Sequence, residues 1–507
     1  LKPLFVFVAL FVGVDLLNAQ EMSVTNEPAR SIRPIKVREC IERALANNLD
    51  IRLERINPSI ASWGVVFQQA VYDPVLAGTV DFENNSQPLD PERATALGIG
   101  SIKTETLSIQ SGLTGLLPSG AQYGLNLADA RVLGTLASNF VHTGSATISL
   151  TQPLLKNFGF GVNAAQIRVA RATRSVAIQT FLNAVQNTLT AVVNAYYELI
   201  FAIEDHKAKL EDLSRAKTLL EENRRRTQIG VMSPLDVTQA EAGAAEREEA
   251  VILAEQQIHV NENTLKRLIS RDVLEFSAIT LQPVDYPQVE IVDTDISHST
   301  QLALERRPDL VGLRRELERR GILVRYNRNQ LWPQVDVMGS YGGNARSGDA
   351  TRDGTFGNFF DNLTSGDNPV WNVGVVVSVP IGNRRARANY NIARLDEDQA
   401  VINLKKLEQD ILVQVDNAVR QVRTNLKRVD ATRVASRLAE ESLAAEETKL
   451  HAGTSTSFLV LQAQSQLAAA RSAEIRALAD YSESLAELAR VQGSTLRQHN
   501  IVLDENF

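Results

Sequence analysis

The chain is poor in the residues from which most enzyme and metal sites are built. Its 507 residues include one cysteine, three methionines, three tryptophans and six histidines. A lone Cys40 excludes an intramolecular disulfide framework and any multi-cysteine metal cage. The histidines, at 142, 206, 259, 298, 451 and 499, are far apart and form no HExxH or His-x3-His pair, so no metal is expected. No nucleotide-binding loop and no pairing of nucleophile with base stands out, and neither an enzyme nor a cofactor is expected. Basic runs are also lacking. With 53 Lys+Arg against 60 Asp+Glu the net charge is −7, which argues against a nucleic-acid partner. No unbroken apolar run reaches the length that spans a bilayer as a helix, so a membrane location would require a β-barrel. What the chain does have is 44% apolar residues, the share of an ordered protein with a core.

Lys2 precedes an apolar run at 4–14, which Asp15 closes before Leu17-Asn18-Ala19. This reads as a signal peptide over 1–19, the run being too short to cross a bilayer; a buried element of the mature fold is the competing reading. Cys40 lies too far downstream to carry a lipid.

Further on, punctuation repeats. Ala44-Leu45…Asp50-Ile51 is echoed by Ala303-Leu304…Asp309-Leu310, and Pro74 by Pro333 at the same offset. Thr151-Gln152-Pro153-Leu154 is echoed by Ser378-Val379-Pro380-Ile381, and Gly230 by Gly453. Four landmarks in one order describe a tandem repeat. The first copy spans 38–270, with strands at about 74–153 and a long helical hairpin at about 162–270. The second spans 297–493, with strands at about 333–380 and a hairpin at about 383–493. A linker at 271–296, holding Pro283 and Pro287, joins them, and 494–507 reads as a mobile tail.

Neither glycine nor proline occurs over 162–229 or 383–452, two runs rich in Ala, Leu, Glu, Arg and Gln. Such runs predict helices about 100 Å long. Ile178, Phe181, Val185, Leu189, Val192, Tyr196, Leu199 and Ile203 recur at steps of three and four, as do Leu404, Leu407, Ile411, Val415, Ala418, Val422, Leu426 and Val429. A narrow, sustained stripe of this kind is a coiled-coil seam. Gly230 and Gly453 cap the first helix of each hairpin, and Ser233 or a residue of 454–457 starts the return. Taken alone, these helices also fit a soluble structural coiled-coil scaffold.

The β segments weigh against that alternative. Val335, Val337, Gly339 and Tyr341 alternate with Asp336, Met338 and Ser340; Trp371, Val373, Val375, Val377 and Val379 alternate with Asn372, Gly374, Val376 and Ser378. Ala146, Ile148 and Leu150 repeat the pattern in the first copy. Segments of about 9–10 residues with two unlike faces suit tilted transmembrane strands. Leu107, Ile109 and Leu113, then Tyr123, Leu125 and Leu127, suggest an extra hairpin in the first copy, with three possible positions: in a barrel, outside it, or near the helices. Four to six strands cannot close a barrel alone, so several chains must pool them.

The chain resembles the TolC family of outer-membrane efflux proteins. The resemblance rests on Ala44-Leu45…Asn48, Gln152-Pro153-Leu154, Ala195-Tyr196-Tyr197, Gly230…Ser233…Asp236…Gln239-Ala240, Arg307-Pro308-Asp309-Leu310 and Val379-Pro380-Ile381, and covers about 38–493. It implies a mainly α chain with transmembrane β strands, assembled as a homotrimeric α-barrel and β-barrel tunnel with twelve strands in the outer-membrane lipid. It also implies a passive exit duct, opened by a periplasmic adaptor (membrane fusion) protein that is coupled to an inner-membrane transporter. By that resemblance Gly230, Val231, Ser233, Gly453, Thr454 and Thr456 are the adaptor-contacting tips, and Asp236, Leu459 and Gln462 lie at the tunnel mouth. The aspartate ring that some members carry falls here on Leu459 and Gln462, so a cation-sensitive throat does not transfer. The usual lock partners of Asp236 fall on Leu450 and Ser455, which leaves closure to other contacts, with Arg224, Arg225 and Arg226 as candidates.

Overall fold

In a computed structural model, residues 31–135, 139–272, 274, 279–289, 294–349 and 352–503 are described. The expected signal peptide lies outside them. The chain opens with strand β1 (Ser31–Ile35) and helices α1 (Val37–Asn47) and α2 (Leu49–Gln69). Strand β2 (Val75–Pro88), helix α3 (Pro91–Leu97) and strands β3 (Ser101–Leu116), β4 (Gln122–Gly134) and β5 (Val141–Pro153) follow. Helix α4 (Phe160–Asn163) leads into α5 (Ala165–Gln228) and α6 (Pro234–Ile269), which end the first copy, and β6 (Ile279–Pro283) lies in the linker. The second runs through α7 (Ile296–Arg306), α8 (Pro308–Asn329), β7 (Gln334–Ser347), α9 (Phe356–Thr364), β8 (Pro369–Ser378), α10 (Arg384–His451), α11 (Ser457–Val491) and α12 (Thr495–Gln498).

The two long helices form as their composition dictates, with 64 residues in α5 and 68 in α10, and each packs along its return partner, α6 or α11. Phe181, Val185, Leu189, Val192, Tyr196 and Leu199 are buried on α5, and Ile411, Val415, Ala418, Val422 and Val429 on α10. The seam read from spacing is therefore the packing seam. Each copy builds a matching core. The first joins α5 to Leu265, Leu268 and Ile269 of α6, the second α10 to Tyr481, Leu488 and Val491 of α11. Helix α8 of the second copy packs on α5 of the first, and within its own copy it lies along α10, where Arg320 meets Asp396 at 3.0 Å.

The opening helical segments break where capping chemistry demands it. Asn48 accepts from the Ile51 N–H at 3.0 Å and donates to the Leu268 carbonyl at 3.0 Å, ending α1 and starting α2. In the second copy Pro308 occupies the first turn of α8, and Arg307 forks onto Asp309 at 3.1 and 2.6 Å.

Two segments carry more structure than periodicity showed. Within the linker, β6 pairs in parallel with β1. Tyr196 ties this pair to α5: its hydroxyl donates to the Ile35 carbonyl at 3.1 Å and accepts from the Val284 and Asp285 N–H groups at 3.2 and 3.0 Å. Glu262 and Lys266, a buried pair 2.9 Å apart on α6, hold β6 from the other side, through the Leu281 N–H at 2.8 Å and the Ile279 carbonyl at 2.5 Å. The tail also departs from expectation. Thr495 is buried, and Leu496, Ile501 and Leu503 pack onto the first core, so 495–503 docks rather than moves freely. Three apolar contacts hold it without needing a periodic pattern.

The remaining strands form one antiparallel sheet in the order β2-β3-β4-β5-β7-β8. The extra hairpin is β3–β4, inserted between β2 and β5. The sheet thus has six strands per chain, two more than the four per chain of a twelve-stranded trimeric ring. The strands of the first copy run 13 to 16 residues, longer than the 9–10 read from alternation. The difference arises because pairing continues past the apolar band into polar ends such as the Asn84↔Glu105 and Asn85↔Thr104 pairs. At the far end of the sheet Asp129 and His142 pair at 3.0 Å, and α9 lies beside them with Phe359 fully buried.

Candidate functional site

The sheet and the hairpin tips are opposite ends of the same helices, and the tips hold the sequence-picked residues. Both tips follow one plan. Gly230 and Gly453 take φ of 77° and 75°, and each donates its N–H back to the helix it ends, to Thr227 at 3.0 Å and Leu450 at 3.2 Å. Nothing lies within 4 Å of where a Cβ would stand at either glycine, so the requirement is the left-handed backbone itself. Three residues on, Ser233 and Thr456 occupy the N-cap positions of the return helices. Ser233 and Asp236 form a reciprocal capping box, with Leu235 N–H to Ser233 Oγ at 3.2 Å and Ser233 N–H to Asp236 Oδ2 at 3.3 Å. Asp236 is therefore engaged by its own turn. Thr456 makes no side-chain cap, whereas Thr454 Oγ1 donates to the Lys449 carbonyl at 3.2 Å and Ser455 to Glu446.

The tips are apolar as well as capped. Ile229, Val231 and Leu235 of the first and Phe458 and Leu459 of the second are exposed, and Gln462 is exposed one turn further along. Solvent-facing apolar side chains are thus grouped at the end of each helical hairpin.

Side chains from one hairpin also hold the other. Asn223, fully buried on α5, accepts from the Ser457 hydroxyl of α11 at 2.9 Å and donates to the Asp236 carbonyl at 3.4 Å. Arg226 donates to the Leu450 carbonyl at 3.3 Å, meets His451 Nδ1 at 3.1 Å and pairs with Glu222. Of the three arginines singled out as closure candidates, Arg226 bridges the hairpins. Arg224 stays within the first, bonded to Glu221 and Glu241 at 3.0 and 3.1 Å, and Arg225 is exposed. Higher up, Arg247 grips Asp212 at 2.8 Å, and burial raises the Asp212 carboxyl despite that cation. Arg471 of α11 reaches both Glu211 of α5 and Glu440 of α10, at 2.9 and 3.0 Å.

Sequence reasoning missed Asn223 and Ser457. Asn223 follows Leu219 and Leu220 on the buried stripe of α5, and a single amide on such a stripe is the signal that would have found it.

This architecture, long paired helical hairpins carrying a sheet with one apolar face, has known counterparts. A sequence profile of the outer membrane efflux protein family matches residues 40–271 and 300–494. The chain belongs to that family. Like other outer membrane efflux proteins it is a channel component of the outer membrane, extending into the periplasm, and not an enzyme. It is similar to the pyoverdine export outer membrane protein OpmQ of Pseudomonas aeruginosa, 24% identical over 315 residues, which make up 60% of this chain. The match spans 59% of that curated relative's length. Solved structures share the fold more fully. The outer-membrane channel OprN superposes with a TM-score of 0.69 at 18% identity, covering 90% of both chains. The CmeC outer membrane channel of Campylobacter jejuni gives 0.68 at 18%, covering 93% of this chain and 90% of that one. The open-state MtrE channel of Neisseria gonorrhoeae gives 0.63 at 18%, covering 91% and 89%. Among the described residues no helix is long and apolar enough to cross a membrane.

Proposed function

We propose that the chain is the exit duct of a three-part efflux or secretion system. Three copies pool their sheets into a barrel in the outer membrane, and their hairpins surround a tunnel on the periplasmic side. The observation that carries this reading is the division of labour within one chain. An apolar-faced sheet sits at one end of two helices about 100 Å long, and two matched hairpin tips with exposed apolar side chains sit at the other.

In this reading Gly230, Val231, Ser233, Gly453, Thr454 and Thr456 meet a periplasmic adaptor protein, which couples the duct to an inner-membrane transporter. Three chains with two tips each present six similar surfaces, so an adaptor ring finds nearly equivalent sites around the mouth. Asp236, Leu459 and Gln462 lie at that mouth. Asp236, held in its capping box, contributes to the tip's shape, while Leu459 and Gln462 line an uncharged constriction. Transport energy comes from the partner, and the duct's part is to open. An iris-like opening separates the hairpins, which breaks the Asn223–Ser457 hydrogen bond and the reach of Arg226 to Leu450 and His451. Adaptor contact biases that equilibrium by binding the opened tips better than the closed ones.

Site-specific photo-crosslinking from Val231 and Thr454 in cells tests the docking. The expected product joins the duct to an adaptor from both positions. Crosslinks to no periplasmic protein from either position would defeat the assignment of the tips.

A further inference from the structure

The register of the six-stranded sheet shows which residues share each face. One row of directly opposed residues crosses the whole sheet: Leu76, Leu113, Leu125, Ile148, Tyr341 and Trp371, one from each strand. Every member is apolar, and all but Leu113 are exposed in the single chain. The adjoining row, on the opposite face, reads Val75, Thr114, Gly124, Ser149, Ser340 and Asn372. Apolar outside and polar inside is the pattern of a strand between lipid and a watery lumen. Strands β3 and β4 keep that pattern in phase with their neighbours. The extra hairpin is therefore part of the wall, neither a cap above it nor a flap beside it.

The two ends of the sheet are open. Strand β2 is exposed along its whole length, and β8 at all positions but Gly374. Unpaired strand edges do not persist in hydrocarbon. With six alternating strands, β2 and β8 run in opposite directions, so the β8 edge of one copy meets the β2 edge of another as an antiparallel pair. The apolar face continues across that joint when the residues on the side of Leu76 and Val80 fall opposite those on the side of Trp371 and Val373.

We propose that β2 of each copy pairs with β8 of the next and that three copies close an eighteen-stranded wall. The occupant of each open edge is thus a second copy of this chain. The proposal rests on the trimeric duct reading above and departs from the twelve strands that the family resemblance implies. With strands about 4.8 Å apart and tilted by roughly 40°, twelve strands give a backbone diameter of about 24 Å and eighteen about 36 Å. The cross-section rises about 2.3-fold, so the β part is much less of a constriction than in a twelve-stranded ring, and passage is set at the hairpin tips.

Electron cryomicroscopy of the full chain in lipid nanodiscs tests this. Eighteen strands in a wall with a backbone diameter of about 36 Å are expected. A twelve-stranded trimeric wall with β3 and β4 folded outside it would overturn the proposal while leaving the duct reading intact. A monomeric, water-soluble chain would instead remove the duct reading and this proposal with it. Engineered cysteines give a second readout that does not depend on imaging. In an eighteen-stranded wall Leu76→Cys and Ile148→Cys are separated by two strands, roughly 14 Å, and form no disulfide within a chain. An oxidised link between them would mean that β2 and β5 touch, which contradicts the proposal. Val80→Cys combined in turn with Trp371→Cys, Val373→Cys, Val375→Cys and Val377→Cys is expected to give covalent dimers and trimers in at least one pairing, and failure of all four would count against the β2–β8 joint.

Discussion

The two copies in this chain agree in their stems and differ in their sheets. Their long helices are 64 and 68 residues, their tips share the same glycine-to-cap spacing, and their cores are built from corresponding stripes. Yet the first copy supplies four strands to the sheet and the second supplies two. The difference shows where such a chain tolerates insertion. A hairpin adds one ascending and one descending strand, so the chain re-enters the stem at the same end of the sheet, and every helix contact below is untouched. A comparable insertion in a stem helix would shift the seam out of phase with its partner.

The sharpest stability contrast between the copies lies in the β1–β6 pair, which braces the first. Replacing Glu262 by Ala leaves Lys266 buried without its counter-ion, and a loss of about 3–5 kcal/mol is expected, measured as a fall in the unfolding midpoint of the purified protein. Next come the sheet faces. Leu125→Arg in the extra hairpin and Val375→Arg in the second copy place a charge on the same apolar face, with a cost of about 2–4 kcal/mol near the bilayer centre, read as lost assembly in the outer membrane. Similar losses for both would confirm that the inserted hairpin is in the wall; a harmless Leu125→Arg would place it elsewhere.

The tips should respond alike. Gly230→Ala and Gly453→Ala each force a side chain into positive φ, at about 1–2 kcal/mol, with no steric clash to add. Unequal effects in thermal unfolding would mean that the tips are not equivalent. The smallest effect concerns pH. The Glu483 carboxyl is pushed up to about 7, chiefly by burial and then by the nearby Glu198 charge. The folded state therefore keeps a proton that an ordinary glutamate has lost, so stability falls as pH rises from near 4.5 towards 7 and is level above that. Glu483→Gln is expected to flatten that slope in melting temperature, and an unchanged slope would assign it to other groups.

Much of this was legible in the sequence, for identifiable reasons. The long helices, their seams and their glycine ends follow from composition, spacing and punctuation that act locally, and the structure places the helices at Ala165–Gln228 and Arg384–His451 with most of each seam buried. The lipid-facing alternation was legible too, but its continuity was not. That Leu125 stands beside both Leu113 and Ile148 is a matter of register between distant strands, which spacing within one strand does not reveal. The pairing of β1 with β6 was hidden for the same reason, since 31–35 and 279–283 are short and gain meaning only from each other. At the tips, the caps were readable, whereas Asn223 meeting Ser457 depends on how two hairpins pack.

The central claim is that these chains together form a conducting pore whose resistance lies at the tips. Single-channel recording in planar bilayers tests it most directly, comparing the native chain with a double variant, Asn223→Ala and Arg226→Ala, that loosens the tips. The account predicts discrete, low conductance from the native protein and a several-fold larger conductance from the variant. Silence from both proteins after verified insertion would contradict it.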